Sequence, residues 1–342
     1  QDLAESNAKY KIQLGNEITR GLGAGADPEI GKKAAEESRD EITELLTDID
    51  MVFITAGMGG GTGTGAAPVI AGIARDLGVL TVGIVTKPFM FEGPKRSNNA
   101  ETGLAALREN VDTVVVIPNQ KLKEAVSRNT TFKDALKVAD EVLLQATRAI
   151  SDLITLPGLI NVDFADIKTT MKNKGDALMG TGDATGENRA KEAADRAMTH
   201  PLLEDLDIDG ARDILLNISG GQDLTLFDVD EAMTTVQTAA GHTNIIMGTV
   251  LDEALEGAIR VTLIATGLDQ TLSSREDMMT RNVIKFNPER PNDLDTPTFK
   301  RVKRTGPPTT ETPSEEAPAA EPEEANDLEV PTYMRRRRSF GS

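Results

Sequence analysis

Six of the nine positions from 57 to 65 are glycine, and the other three are Met58, Thr62 and Thr64. Backbone without side chains wraps an anion closely, and the threonines add hydroxyl donors. A tight turn needs one or two glycines, so this density points to phosphate. Two further polar sets carry chemistry. Glu92 and Arg96 stand four apart, the spacing of a helix-surface ion pair or of a carboxylate and a cation that face a ligand together. Asn161, Asp163 and Asp166 form a compact acidic set, in which Asp163 before Phe164 reads as a helix N-cap with an acid at the third helical position.

The elements that must position these groups follow from hydropathy. Residues 51–56 are a short apolar run, read as a buried strand. Residues 66–77 are an Ala-rich helix with Pro68 in its first turn. Strand, glycine loop and helix aim unpaired N–H groups and a partial positive charge at one anion. Residues 79–86 and 113–117 are further strands, continuously apolar as strands buried on both faces are, and residues 10–14 read as a short strand. Residues 1–9 are helix-compatible, and residues 101–110 form a helix. A second glycine loop, 21–28, opens a helix that runs through Ala34, Ala35, Ile42, Leu45 and Leu46. Strands alternating with helices imply a parallel sheet with ligands at the carboxyl ends of its strands. The loops after Ala26, Ala56, Thr86 and Ile117 are therefore expected to share one crevice.

Residues 131–155 repeat Phe132, Leu136, Ala139, Val142, Leu143, Ala146, Ile150 and Leu153 at three- and four-residue steps, and Pro157-Gly158 ends the run. At 1.5 Å per residue this is one rod of about 36 Å, whose two ends cannot lie in the same pocket. Asn161, Asp163 and Asp166 lie at the far end of the rod from the glycine crevice. The carboxylates of Asp163 and Asp166 therefore cannot act on a phosphate held by their own molecule, and if molecules stack head to tail they can act on that of the next. Beyond them, helices at 164–173, 187–199 and 229–239 and strands at 177–180, 213–218, 245–250 and 258–265 make a second α/β region. Residues 305–327 are rich in Pro, Glu, Thr and Ala with no basic residue, a composition that stays disordered. Residues 327–342 differ again: Leu328, Val330, Pro331, Tyr333 and Met334 precede four consecutive arginines, Arg335 to Arg338, as in a short tethered peptide for partners.

Composition narrows the classes. The chain has 342 residues, a formal charge of −18 and no cysteine. That removes disulfides, thiolate metal sites and cysteine nucleophiles, and it argues against direct binding of nucleic acid, which needs a basic face. No apolar run reaches the ~20 residues of a membrane span, and no signal peptide opens the chain, so a cytoplasmic location is expected. His200 and His242 lack ligand partners at useful spacing and read as structural, so no metal-ligand set is assigned. Gly61-x-Gly63-x-x-Ala66 fits a loose dinucleotide pattern, but the acid wanted at the end of the next strand is replaced by Thr86-Lys87-Pro88. A Walker loop is excluded, because the next lysine after the glycines is Lys87.

Gly59-Gly60-Gly61-Thr62-Gly63-Thr64-Gly65 matches the phosphate-loop signature of the tubulin and FtsZ superfamily. Thr86-Lys87-Pro88-Phe89, Phe91-Glu92-Gly93, Gly158-Leu159-Ile160-Asn161-Val162-Asp163-Phe164-Ala165-Asp166 and the tail 327–338 resemble the FtsZ family of bacterial cell-division GTPases, with similarity over nearly the whole chain, loose only in the linker. The resemblance implies an α/β fold: a Rossmann-like parallel-sheet GTPase domain (1–130), a long central helix (131–157), a second smaller α/β domain carrying the catalytic loop (158–268), a disordered linker (269–326) and a C-terminal partner-binding peptide (327–342). It implies GTP and GDP held by Gly59, Gly60, Gly61, Thr62, Gly63 and Thr64, with Glu92 on the ribose, Arg96 near the phosphates and Phe132 covering the guanine. Asp140 would read the base, since a carboxylate accepts from both N1–H and the 2-amino group.

It further implies that Asp163 and Asp166 orient the attacking water in a neighbouring subunit's site, with Asn161 in the polar shell and Mg²⁺ on the phosphates without a dedicated cage. The expected product is a head-to-tail polymer at the mid-cell division ring, tied by residues 327–342 to membrane-anchoring and regulatory division proteins. A competing class, a nucleotide-regulated scaffold without hydrolysis, is disfavoured by the presence of Asn161, Asp163 and Asp166. The family carries two more strands, each with a loop on the nucleotide, before the point where Gln1 stands, so a further N-terminal piece is expected.

Overall fold

The structure is a computed structural model and describes residues 2–125, 129–203 and 210–268. The linker and tail expected at 269–326 and 327–342 lie outside the described residues.

A four-residue helix, Asp2–Glu5 (α1), comes first. Pro28–Glu37 (α2) starts on Asp27, whose carboxylate accepts from Glu29 N–H at 3.0 Å, with Pro28 fixing the first helical φ. The helix expected to run on to Leu46 is two: it breaks at Ser38, and Arg39–Leu46 (α3) follows. Met51–Gly57 (β1) leads into Thr62–Asp76 (α4), Leu80–Lys87 (β2), Pro94–Arg108 (α5) and Thr113–Pro118 (β3). The three strands are parallel, with Gly57 beside Thr86 and Thr86 beside Ile117, so their carboxyl ends share one edge. Asn119–Ala125 (α6) and the 24-residue Phe132–Thr155 (α7) follow. Thr131 caps α7 by accepting from Asp134 N–H at 3.2 Å.

The remaining elements are Phe164–Met171 (α8), Gly175–Thr185 (β4), Arg189–Met198 (α9), Asp213–Gly220 (β5), Leu226–Ala240 (α10), Asn244–Leu251 (β6) and Ala258–Thr266 (β7). One seven-stranded sheet joins them all in the order β1-β2-β3-β4-β7-β5-β6. β3 meets β4 in parallel over three residues, and β7 is antiparallel to both β4 and β5.

Burial explains the layering. On one face Ile54, Val85 and Val114 pack under Ala67 and Ala71 of α4 and Leu104 and Leu107 of α5. On the other, Ala139, Val142, Ala146, Ile150 and Leu153 lay one stripe of α7 over Ile84, Val115, Met179 and Ile264. The three- and four-residue spacing of that stripe is what makes α7 a spine under the sheet.

Three further expectations are corrected, and one element was not anticipated. Residues 10–14 form no strand: Tyr10 faces solvent, while Ile12 and Leu14 pack as irregular chain against the α2–α4 cluster. The helix expected from residue 66 begins at Thr62, within the glycine run whose low helix propensity made it read as loop. Pro68 is thus in the second turn, where it withholds the N–H that the Thr64 carbonyl would otherwise receive. The helix expected at 101–110 starts at Pro94. The short α6 carries too little periodicity to be read.

Candidate functional site

The glycine loop joins β1 to α4 at the carboxyl edge of the sheet. Its first turn is pinned by Met58 N–H donating to Thr86 O at 2.9 Å. Gly59 adopts φ +105°, a region closed to most L-residues. A Cβ there would lie 2.8 Å from the Arg96 carbonyl oxygen; one on Gly61 would lie 2.7 Å from the Ala24 Cβ, and one on Gly63 2.8 Å from Gly57 O. One on Gly65 would collide with the Pro28 carbonyl of α2. These glycines therefore also let chain pass chain at close range. Gly60 differs: a Cβ on it would meet nothing within 4 Å. It faces the open cradle, beside the N-terminus of α4, which carries no side-chain cap. The first N–H groups of α4 and the helix dipole are therefore available to an anion.

Thr62 is exposed at the start of α4. Thr64 lies deeper in the loop. It is 1% exposed, and its Oγ1 accepts from Gly59 N–H at 2.8 Å. Glu92 and Arg96 are brought to the loop by the close approach of Arg96 to Gly59. They form the i, i+4 ion pair, and the second Glu92 oxygen accepts from Phe89 N–H at 2.9 Å. Asp140 lies on an exposed side of α7, two turns beyond its cap. Phe132 is the first residue of α7, at the same edge as the crevice.

Two residues of this region escaped the sequence reading. Asn99, one turn beyond Arg96, donates its amide to Ala26 O at 3.3 Å and Gly59 O at 3.4 Å, tying the two glycine loops together. Ala26 itself sits at φ +60°, a costly conformation for alanine. Asn119, directly after β3, is 7% exposed, and its Oδ1 has no hydrogen-bond partner. Such an orphan acceptor costs about 1–3 kcal/mol unless something donates to it. Its place at the end of a strand that opens on the crevice was the available signal.

Asn161, Asp163 and Asp166 are all exposed, at the other end of α7. Asn161 Oδ1 accepts from Gly158 N–H at 2.9 Å and so shapes the loop. Ile160 pairs with Thr249 at 2.8 and 3.0 Å, fixing this loop beside β6. Asp163 is the N-cap residue of α8 by position, but its side chain makes no cap bond. The structure therefore brings Asn161, Asp163 and Asp166 together and keeps them from the crevice by the length of α7, about 36 Å for 24 residues.

The fold and this loop define a GTPase of the tubulin class: the model of the tubulin/FtsZ family GTPase domain matches residues 1–127, and that of the FtsZ family C-terminal domain matches 175–269. A cell division protein FtsZ of Coxiella burnetii (strain RSA 493 / Nine Mile phase I) is 54% identical over 269 residues, 78% of this chain and 70% of that protein. An empty FtsZ dimer of M. jannaschii is 50% identical with a TM-score of 0.76, covering 79% of this chain and 78% of its own. CetZ1 from Haloferax volcanii, solved as a GDP-bound monomer, shares the fold at 20% identity, with a TM-score of 0.64 over 78% of this chain and 82% of its own. The chain belongs to the FtsZ family of cell-division GTPases. No helix of the described residues is long and apolar enough to cross a membrane.

Proposed function

We infer that GTP lies in the crevice at the carboxyl ends of β1, β2 and β3 and is hydrolysed at the joint between two copies stacked head to tail. The phosphates rest on the backbone from Gly59 to Gly63 and on the uncapped start of α4, with Gly60 giving the room. Arg96 offsets phosphate charge, and Glu92 faces the ribose. The guanine lies toward the start of α7, where Phe132 covers it, Asp140 accepts from N1–H and the 2-amino group, and Asn119 Oδ1 takes a further donor. Mg²⁺, which keeps much of its water, is held by phosphate oxygens. Among the described residues no cluster of three carboxylates or histidines is positioned to cage a metal.

The observation that carries this reading is the separation of Asp163 and Asp166 from the crevice along α7. Two exposed carboxylates at the opposite end of the spine serve a neighbour's γ-phosphate, where they orient and polarise the attacking water. Phosphoryl transfer is mostly positioning and charge stabilisation, so a loop delivered by the next subunit suffices to start it. Asp166→Ala is expected to bind GTP as the parent does and to lose turnover. Specific activity is expected to rise with protein concentration, and a flat dependence would indicate an intramolecular site. The polymer, at mid-cell, is joined to membrane-anchoring and regulatory proteins by residues 327–342.

A further inference from the structure

We propose that Thr249 of β6 is a positioning residue for hydrolysis, acting through the loop that carries Asp163 and Asp166. The inference rests on the head-to-tail reading and deepens it by naming what aims those carboxylates at a neighbour. Both are exposed, and the Asp163 side chain makes no cap bond. Their direction is therefore set by the backbone that carries them. On one side of the pair α8 is held firmly. Ile167 and Met171 are fully buried, the Thr113 hydroxyl donates to Met171 O, and the Thr266 hydroxyl donates to Thr170 O at 3.0 Å. On the other side the chain from Gly158 to Val162 crosses from the end of α7 to the start of α8 without regular structure.

Thr249 pins that crossing. Its Oγ1 accepts from Ile160 N–H at 2.8 Å, and its own N–H donates to Ile160 O at 3.0 Å. β6 is the outermost strand of the sheet, so at this one residue the loop takes the place of a next strand. Thr249 is 1% exposed, which leaves its hydroxyl little room to turn away. The fit around it is close. A Cβ on Gly158 would collide with the Thr249 carbonyl, and one on Gly248 would lie 2.6 Å from the Leu153 side chain and 2.8 Å from that of Val162. The end of α7, the loop and β6 thus meet in full contact, and Ile160 stands three residues before Asp163. That lever is short, so a displacement at the pin reaches the carboxylates. Valine at 249 would keep the shape of threonine and remove the acceptor. Ile160 is 41% exposed, so water can take up the freed N–H and the fold survives. The loop is then held to Thr249 by one hydrogen bond in place of two.

Thr249→Val in the full chain is expected to bind GTP as the parent does, because the crevice lies at the other end of α7. It is expected to release phosphate about 10- to 100-fold more slowly, the scale of a misplacement of about 1 Å in a positioned group. Thr249→Ser, which keeps the acceptor, should restore the rate. Mixing chains separates positioning from general damage. Gly60→Asp has an obstructed crevice and a sound loop, so an equal mixture with Thr249→Val should release phosphate well above the sum of the separate rates. Asp166→Ala has a sound crevice and no working loop, so its mixture with Thr249→Val should show no gain. A valine chain that turns over as the parent does, that loses GTP affinity or the fold, or that gains equally from either partner would overturn the role of Thr249, as would a serine chain as slow as the valine one. If Gly60→Asp raises Asp166→Ala but not Thr249→Val, only that role fails. If it raises neither, hydrolysis at the joint fails with it.

Discussion

Thr64 Oγ1 accepts a hydrogen bond from the Gly59 N–H at 2.8 Å, inside the glycine loop. The acceptor side of this hydroxyl holds the loop in shape, whatever its own O–H donates to. Thr64→Val keeps the size and deletes the acceptor, leaving a buried N–H unpaired at about 1–3 kcal/mol. The expected result is a lower unfolding midpoint together with weaker GTP binding, both restored in Thr64→Ser. Unchanged GTP affinity in the valine variant would show that the loop does not need the brace.

Two glycines of the same loop are predicted to behave oppositely. Gly65→Ala drives a Cβ into the Pro28 carbonyl and must part α4 from α2, so it should destabilise the fold by about 1–3 kcal/mol. Gly60→Ala meets nothing in the folded chain, so its thermal unfolding should match the parent while GTP affinity falls. Denaturation and nucleotide titration of the pair separate packing from binding.

The orphaned Asn119 Oδ1 and the exposed Asp140 are assigned to the base. Asn119→Ala is expected to lower GTP affinity about tenfold, as loss of one well-made hydrogen bond does. Asp140→Ala should lose GTP-over-ATP preference, and Asp140→Asn should keep part of it. Competition titrations with the two nucleotides measure both; an Asn119→Ala chain with parental affinity would place the base elsewhere.

Acid stability has a named source. For Asp213 burial acts to raise the pKa, but the Lys174 ammonium at 2.6 Å and the Asn244 amide at 2.9 Å more than offset it, and the group stays below the usual carboxylate range. Asp228 is likewise raised by burial and lowered further by Arg189 and Thr225. Groups whose pKa is depressed on folding add stability above their unfolded value of about 4 and lose it as pH falls through the folded value. Unfolding midpoints in urea should therefore drop below about pH 4. Asp228→Asn should cost about 2 kcal/mol at neutral pH and flatten the acid slope, and an unaltered slope would remove Asp228 from this account.

The parts legible in the sequence share a physical cause. Strands such as Leu80–Lys87 are buried on both faces and so read as unbroken apolar runs, and α7 is buried along one stripe and so shows its period. Glycines at 59, 61 and 65 were visible as a phosphate loop, but their second service, letting Arg96, Ala24 and Pro28 pass close by, depends on distant segments. Asn99 carried no signal and Asn119 only its place after a strand end, because an amide becomes functional only through what folding puts beside it. The irregular course of residues 10–14 depends on packing against α2 and α4, which no local pattern encodes.

The central claim is that one chain's crevice is completed by another chain's Asp163 and Asp166. Its most direct test mixes two chains that are each inactive alone. Asp166→Ala keeps the crevice and lacks the donor loop, and Gly60→Asp keeps the loop and puts a negative charge where phosphate rests. Phosphate release from the equimolar mixture is predicted to exceed clearly the sum of the two separate rates. A mixture no more active than that sum would contradict hydrolysis at the joint.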